Sequence, residues 1–266
     1  MDLDLRGRRA LVTGGGRGIG KAIARQLADE GADVAVVART VGALEETAEE
    51  LAASSGRQVI AVPADTGSDD QVSAMVANVV DRFGGVDILV NAAAKPGGGG
   101  SPPKLADITD EAFFDDINVK VLGYLRCARE VVPQMRANGW GRIINISGLA
   151  ARSTGSMIGS IRNVGVSAMT KNLADELRGT GINVTVVHPG LTWTERIPAL
   201  IEDRARARGV TTDEVRAEMD GRNLVGRMIS ADDIADVVAF LASPRSVAIN
   251  GDAVVAGGGA PGPIHY

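Results

Sequence analysis

The chain, 266 residues long, predicts an α/β fold: one doubly wound parallel sheet with helices on both faces, in a single domain. Three observations carry that prediction. Short apolar runs alternate with helical patterns from end to end. Two of the runs, Ile88-Leu89-Val90 and Ile143-Ile144, are continuously apolar, as strands covered on both faces must be. The first run leads straight into a glycine-rich turn that opens a helix, the start of a βαβ unit.

The first strand, Arg9-Ala10-Leu11-Val12, precedes Thr13-Gly14-Gly15-Gly16-Arg17-Gly18-Ile19-Gly20, and a helical pattern follows from Lys21. Further strands are expected at 33–38, 58–62, 86–91, 142–147, 182–188 and 253–256. Helical patterns fill 42–53, 69–83, 110–136, 164–178 and 231–242. Ligands on such a sheet sit beyond the carboxyl ends of the strands, so the residues after each run are the first candidates for a site. The segment 95–103, rich in glycine and proline, is expected to be a mobile loop at one such end.

Composition narrows the function. Hydrophobic residues make up 45% and charged residues 23%, enough for a large core. Net charge is −5 and no basic block stands out, which argues against nucleic acid as a partner. The single cysteine, Cys127, excludes an internal disulfide and reads as a small core residue. Two histidines, His188 and His265, do not supply a zinc set, and no metal site is expected. The first residues carry no apolar signal core and no run reaches membrane-spanning length, so a cytoplasmic protein without a membrane partner is expected.

The glycine turn reads as a nucleotide site. Gly14, Gly16 and Gly18 let the backbone come close to a pyrophosphate, and the free N–H groups around Ile19 face its negative charge. Folds of this kind that prefer NAD place an acid after the second strand to bind the ribose 2′-hydroxyl. Here that place reads Val37-Ala38-Arg39-Thr40. Arg39 can pair with a 2′-phosphate, and Arg17 can meet the same group from the turn. NADP is therefore expected ahead of NAD.

With these residues in view, the chain resembles the short-chain dehydrogenase/reductase family, a family with the Rossmann fold, over nearly its whole length. The family's Thr-Gly-x-x-x-Gly-x-Gly appears as residues 13–20, its Asp after the third strand as Asp65, and its Asn-Asn-Ala-Gly, altered, as Asn91-Ala92-Ala93-Ala94. Its helix-borne Asn appears as Asn118, and its Pro-Gly-x-x-x-Thr as Pro189-Gly190-Leu191-Thr192-Trp193-Thr194. The resemblance implies cofactor contacts from Asp65, Thr66, Asn91, Pro189, Gly190 and Thr194, a water held near Asn118, and a helical lid over substrate at about 195–226. It also implies a homotetramer in which helices near 110–136 and 160–178 meet their copies. The apolar positions Val121, Leu122, Leu125 and Val132 exceed what one helix face needs.

The same comparison exposes a departure. The family centre is a Ser after the fifth strand, then Tyr-x-x-x-Lys on the next helix. Aligned from its downstream end, residues 164–177, that helix puts Gly159 at the Tyr position and Asn163 at the Lys position. The only tyrosines, Tyr124 and Tyr266, are not followed by Lys four residues on. The Ser position falls on Gly148, with Ser147 directly before it. Glycine cannot exchange a proton, and Asn163 can bond a ribose hydroxyl without carrying charge. Ser147, as an orienting donor, and Asn118 remain the candidates for the chemistry. His188 suits acid/base work near neutrality, but members of the resembled family with intact centres also carry His there. Arg162 reads as a surface or interface arginine rather than an anion hook. Two functions stay open: an NADP-linked oxidoreductase with a non-standard active site acting on a small molecule, or a redox-inactive dinucleotide binder serving as sensor, scaffold or partner subunit.

Overall fold

A computed structural model describes residues 1–95, 102–259 and 261; most of the glycine-rich segment near 95–103, with His265 and Tyr266, lies outside the described residues. Seven strands form one parallel sheet: β1 (Arg9–Thr13), β2 (Asp33–Ala38), β3 (Val59–Pro63), β4 (Ile88–Asn91), β5 (Gly141–Ile146), β6 (Ile182–Pro189) and, after two short strands, β9 (Ala253–Ala256). Their order is β3-β2-β1-β4-β5-β6-β9. The order reverses between β1 and β4, and such a switch point leaves a crevice at the strand ends. β1 and β4 are in register through Thr13 and Asn91, so both ends open at one level.

Helices cover both faces. On one side lie α1 (Gly18–Asp29), α2 (Val41–Ser55) and α9 (Ala231–Ala242), whose apolar stripes pack with β1 and β2 around Ile23, Leu27, Leu44 and Val238. On the other lie α3 (Asp69–Phe83), α5 (Gly123–Asn138) and α6 (Met157–Glu176), packed around Val79, Cys127, Val131 and Met135. The central strands β1, β4 and β5 are buried almost throughout, as their continuous apolar runs require.

Two elements differ from the sequence pattern. The long helix expected at 110–136 is three pieces: α4 (Asp110–Ile117), a π-helical turn (Asn118–Leu122) and α5. The helix expected from 164 begins at Met157, where the Ser156 hydroxyl caps it by accepting from Gly159 N at 3.1 Å. After β6 the chain forms β7 (Thr192–Trp193), α7 (Ile197–Arg208), α8 (Thr212–Asp220) and β8 (Ile229–Ser230) before α9. Among the described residues no helix is long and apolar enough to cross a membrane.

Candidate active site

The glycine turn is shaped by close backbone approaches. Gly14 has φ +70°, and a Cβ there would stand 2.8 Å from the Ala92 carbonyl oxygen at the end of β4. A Cβ on Gly20 would stand 2.2 Å from the Gly14 carbonyl oxygen. Only glycine permits either contact, and together they form a cradle under the first turn of α1. The Thr13 hydroxyl accepts from Ala92 N and Ala93 N at 3.1 and 3.2 Å, tying the two strand ends together. Gly16, Arg17 and Gly18 line one side of the turn. Ile19 lines the other, where a cavity of about 600 Å³ opens.

Arg17 is exposed, and Arg39, at the end of β2, is 68% exposed on its side chain. Both guanidiniums are thus open to solvent. Arg39 Nη1 lies 3.8 Å from an Asp65 carboxylate oxygen, while the other Asp65 oxygen accepts from Gly67 N at 2.8 Å. Thr66 is buried, and its hydroxyl donates to the Val119 carbonyl at 3.4 Å.

A polar ladder crosses the core below the cavity. Asn91 Nδ2 donates to Asn145 Oδ1 at 2.9 Å, and Asn145 Nδ2 donates to the Thr170 hydroxyl at 2.9 Å. Asn91 Oδ1 is buried without a partner. The ladder fixes β4, β5 and α6 against one another, and α6 carries Asn163.

At the β5 end, Ser147 is buried and its hydroxyl donates to the Asn163 carbonyl at 3.0 Å. A Cβ on Gly148 would stand 3.0 Å from Asn163 Nδ2, so a small residue at 148 and the amide at 163 fit each other. Gly159 is buried one turn earlier, 2.9 Å from the Ser156 hydroxyl when measured from a built Cβ. Asn118 does not line the cavity. Its Nδ2 donates to the Gly67 carbonyl at 3.1 Å, and its Oδ1 accepts from Arg126 at 2.9 Å. Pro189, Gly190, Thr194, Ser147 and Asn163 all border the same cavity as Ile19.

One further residue enters the site that sequence reasoning missed. Lys120, in the π turn, is buried and lines the cavity. Its ammonium donates to the Ser147 carbonyl at 2.8 Å and to Asn163 Oδ1 at 3.1 Å. Burial, followed by the charge of Arg162, lowers its pKa to about 7, with Asp116 acting in the opposite sense. A signal was present in the sequence. Tyr124, Cys127, Ala128, Val131 and Met135 form the buried stripe of α5, and four residues before Tyr124 that stripe reaches Lys120.

Other candidates are placed elsewhere. Tyr124 donates its hydroxyl to the Ile146 carbonyl at 3.0 Å, and burial raises its pKa far above the ordinary phenol value. His188 Nδ1 accepts from Gly148 N at 3.4 Å, Nε2 meets the Ser167 hydroxyl at 3.4 Å, and burial lowers its pKa to about 4. It is a neutral core imidazole at pH 7, outside the cavity lining. Arg162 is not a surface arginine: its side chain is 13% exposed, borders the cavity and pairs with Asp116 at 2.6 Å. Cys127 is a core thiol, its pKa pushed up to about 12 by burial. Over the cavity, α7 and α8 share a small core of Ile197, Ile201, Val215 and Met219. Among the described residues the cavity lining includes Lys95, Lys120, Arg162, Arg196 and Arg222 but no carboxylate, so its field favours anionic ligands.

Comparison with known proteins agrees with this geometry. Residues 14–260 match a family model described as enoyl-(acyl carrier protein) reductase. The chain is 34% identical over 265 residues to an uncharacterised oxidoreductase, YvrD, of Bacillus subtilis, covering 97% of this chain and 98% of that one. It is 35% identical over 259 residues to the "Putative ketoacyl reductase" of Streptomyces coelicolor, covering 94% and 95%. The crystal structure of L-sorbose reductase from Gluconobacter frateurii, complexed with NADPH and L-sorbose, superposes with a TM-score of 0.92 at 31% identity, covering 99% of this chain and all of that one. A polyketide ketoreductase with NADPH superposes at 0.86 with 34% identity, covering 94% and 96%. The chain belongs to the short-chain dehydrogenase/reductase family of oxidoreductases.

Proposed function

We propose that this protein is an NADP-dependent oxidoreductase acting on the carbonyl group of a small molecule, with Gly159 and Asn163 standing where the family has Tyr and Lys. The observation that carries this reading is the shared cavity: the start of α1, Pro189-Gly190 and Thr194 border the same space as Ser147 and Asn163. The glycine cradle, Asp65 and the exposed Arg17 and Arg39 fit a dinucleotide bearing a 2′-phosphate. NADPH bound there supplies hydride. Asn163 Nδ2 is available to a ribose hydroxyl, Ser147 holds the Asn163 backbone in place through its hydroxyl, and α7 with α8 excludes water as a lid. Similarity to reductases solved with NADPH supports the choice of cofactor.

The molecule is proposed to work as a homotetramer. Leu122 in the π turn, Leu125 on α5, and Ile161 and Val164 on α6 are 40–50% exposed, and Phe114 on α4 is 65% exposed. Val121 and Val132 are turned inward against the core. An apolar face of this kind fits a symmetric helix pairing.

The test is a fluorescence titration with NADPH and NADH, followed by nicotinamide absorbance against a panel of ketones, imines and enones. Tight NADPH binding with turnover of one class supports the reading. NADPH binding with no turnover favours the redox-inactive binder, a reading for which the glycine at 159 is the specific observation. No binding of either cofactor overturns both.

A further inference from the structure

Lys120 is hard to explain as a packing residue. An ammonium has three N–H donors and strong hydration, and lysine is rarely buried unless paired with a carboxylate. Here two donors go to neutral acceptors, the Ser147 carbonyl and Asn163 Oδ1, and no carboxylate bonds the ammonium among the described residues. The third donor has no partner among the described residues, and Lys120 borders the cavity. The charged groups facing it are Asp116 of α4 and Arg162 of α6, already paired with each other, and the neutral ring of His188 on β6. Tyr124, one turn along α5, spends its hydroxyl on Ile146.

We propose that Lys120 is the proton-donating residue of this pocket. The inference rests on the reductase reading above. As hydride reaches the carbonyl carbon of the substrate from the reduced dinucleotide, the C=O π electrons move to oxygen. The oxygen takes a proton from Lys120 Nζ. The substrate leaves as an alcohol, the dinucleotide is left oxidised, and the neutral amine regains a proton from solvent through the cavity. The site thus holds its amine beside position 163 without drawing it from that position: it arrives from the π turn of the neighbouring helix. A buried lysine whose pKa lies near the working pH exchanges protons readily in both directions.

The experiment uses the full-length protein carrying [ε-¹³C]lysine. The chain has five lysines, so five resonances are followed by NMR against pH, with and without NADPH, and Lys120→Met assigns the one that matters. A midpoint near 7 that moves when NADPH binds is expected. An ordinary lysine midpoint near 10 overturns the proposal whatever the activity. In parallel, kcat is measured from pH 5.5 to 9 for the wild type, Lys120→Met and Lys120→Arg. The wild-type rate should fall as pH rises through the Lys120 midpoint. Both variants should lose roughly 10²- to 10⁴-fold in kcat, and Lys120→Arg, which keeps the charge but cannot release a proton near neutrality, should lose the pH limb. Equal rates and equal pH profiles in wild type and Lys120→Arg overturn the proposal while leaving the reductase reading in place. A wild type that binds NADPH and reduces nothing overturns both.

Discussion

Replacing Lys120 by Met should change the pH dependence of stability in a way that can be worked out beforehand. In the folded protein burial lowers the Lys120 pKa from an ordinary 10.5 to about 7. Below pH 7 both folded and unfolded chains carry the proton, and the folded state bears the whole cost of a buried charge. Between about 7 and 10.5 the unfolded chain still binds the proton and the folded one does not, so stability rises with pH. Above 10.5 both states are neutral and the penalty is gone. The gap corresponds to about 5 kcal/mol, at roughly 1.4 kcal/mol per pH unit. Met fills similar volume and cannot ionise. It also abandons the Ser147 carbonyl and Asn163 Oδ1, at a cost of about 1–3 kcal/mol each that does not vary with pH. The difference between the two proteins is therefore the informative quantity. Urea unfolding at a series of pH values from 6 to 10.5 should show the wild type gaining about 4–5 kcal/mol on Lys120→Met across that window. Parallel stability curves would refute the reasoning, because they would mean that Lys120 keeps an ordinary pKa in the folded state.

Three other outcomes are expected. Arg39→Ala should weaken NADPH binding about tenfold and leave NADH nearly unchanged in calorimetry; the estimate takes the lower end for a charge-assisted contact because Arg39 is exposed and already near Asp65. Leu125→Arg combined with Val164→Arg should yield monomers by chromatography with light scattering at micromolar concentration, whereas a wild type that is itself monomeric defeats the proposed helix pairing. Introducing Tyr and Lys as Gly159→Tyr with Asn163→Lys should raise ketone reduction only when Lys120→Met is added. Otherwise a second ammonium stands beside the first, where like charges about 4 Å apart repel by about 4 kcal/mol, and the new ring must also displace the Ser156 cap. A double variant that outperforms the triple variant would contradict this.

Much of the fold was legible because buried parallel strands leave continuous apolar runs, as at Ile88–Asn91, and because the glycine turn has so few conformations open to it. Of the candidate residues read from the sequence, Ile19, Ser147, Asn163, Pro189, Gly190 and Thr194 border the cavity. Two features escaped. The π turn at Asn118–Leu122 leaves the apolar spacing nearly helical, since one extra residue shifts a stripe without erasing it. The start of α6 at Met157 was hidden by Ser153-Thr154-Gly155-Ser156, which reads as loop, although Ser156 is also a cap. Lys120 was missed for a different reason. Lysine in a helical pattern normally faces water, so the buried stripe through Tyr124 was not extended to it. Asn118 shows the reverse: motif position suggested the cavity, but its amide is held by Gly67 and Arg126.

That π turn has a consequence for how the site can change. Each residue along a helix advances the side-chain direction by about 100°, so one additional residue lets the stretches on either side aim independently. Upstream, Asp116 reaches Arg162; within the turn, Asn118 holds the β3–α3 connection while Lys120 enters the cavity. Deleting a single residue between Asn118 and Leu122 would re-phase the two stretches and carry the amine away from the cavity in one step. The ammonium is thus attached to a length variation rather than to a side-chain identity alone, a change that comes and goes as an insertion or deletion and that no series of point substitutions would retrace.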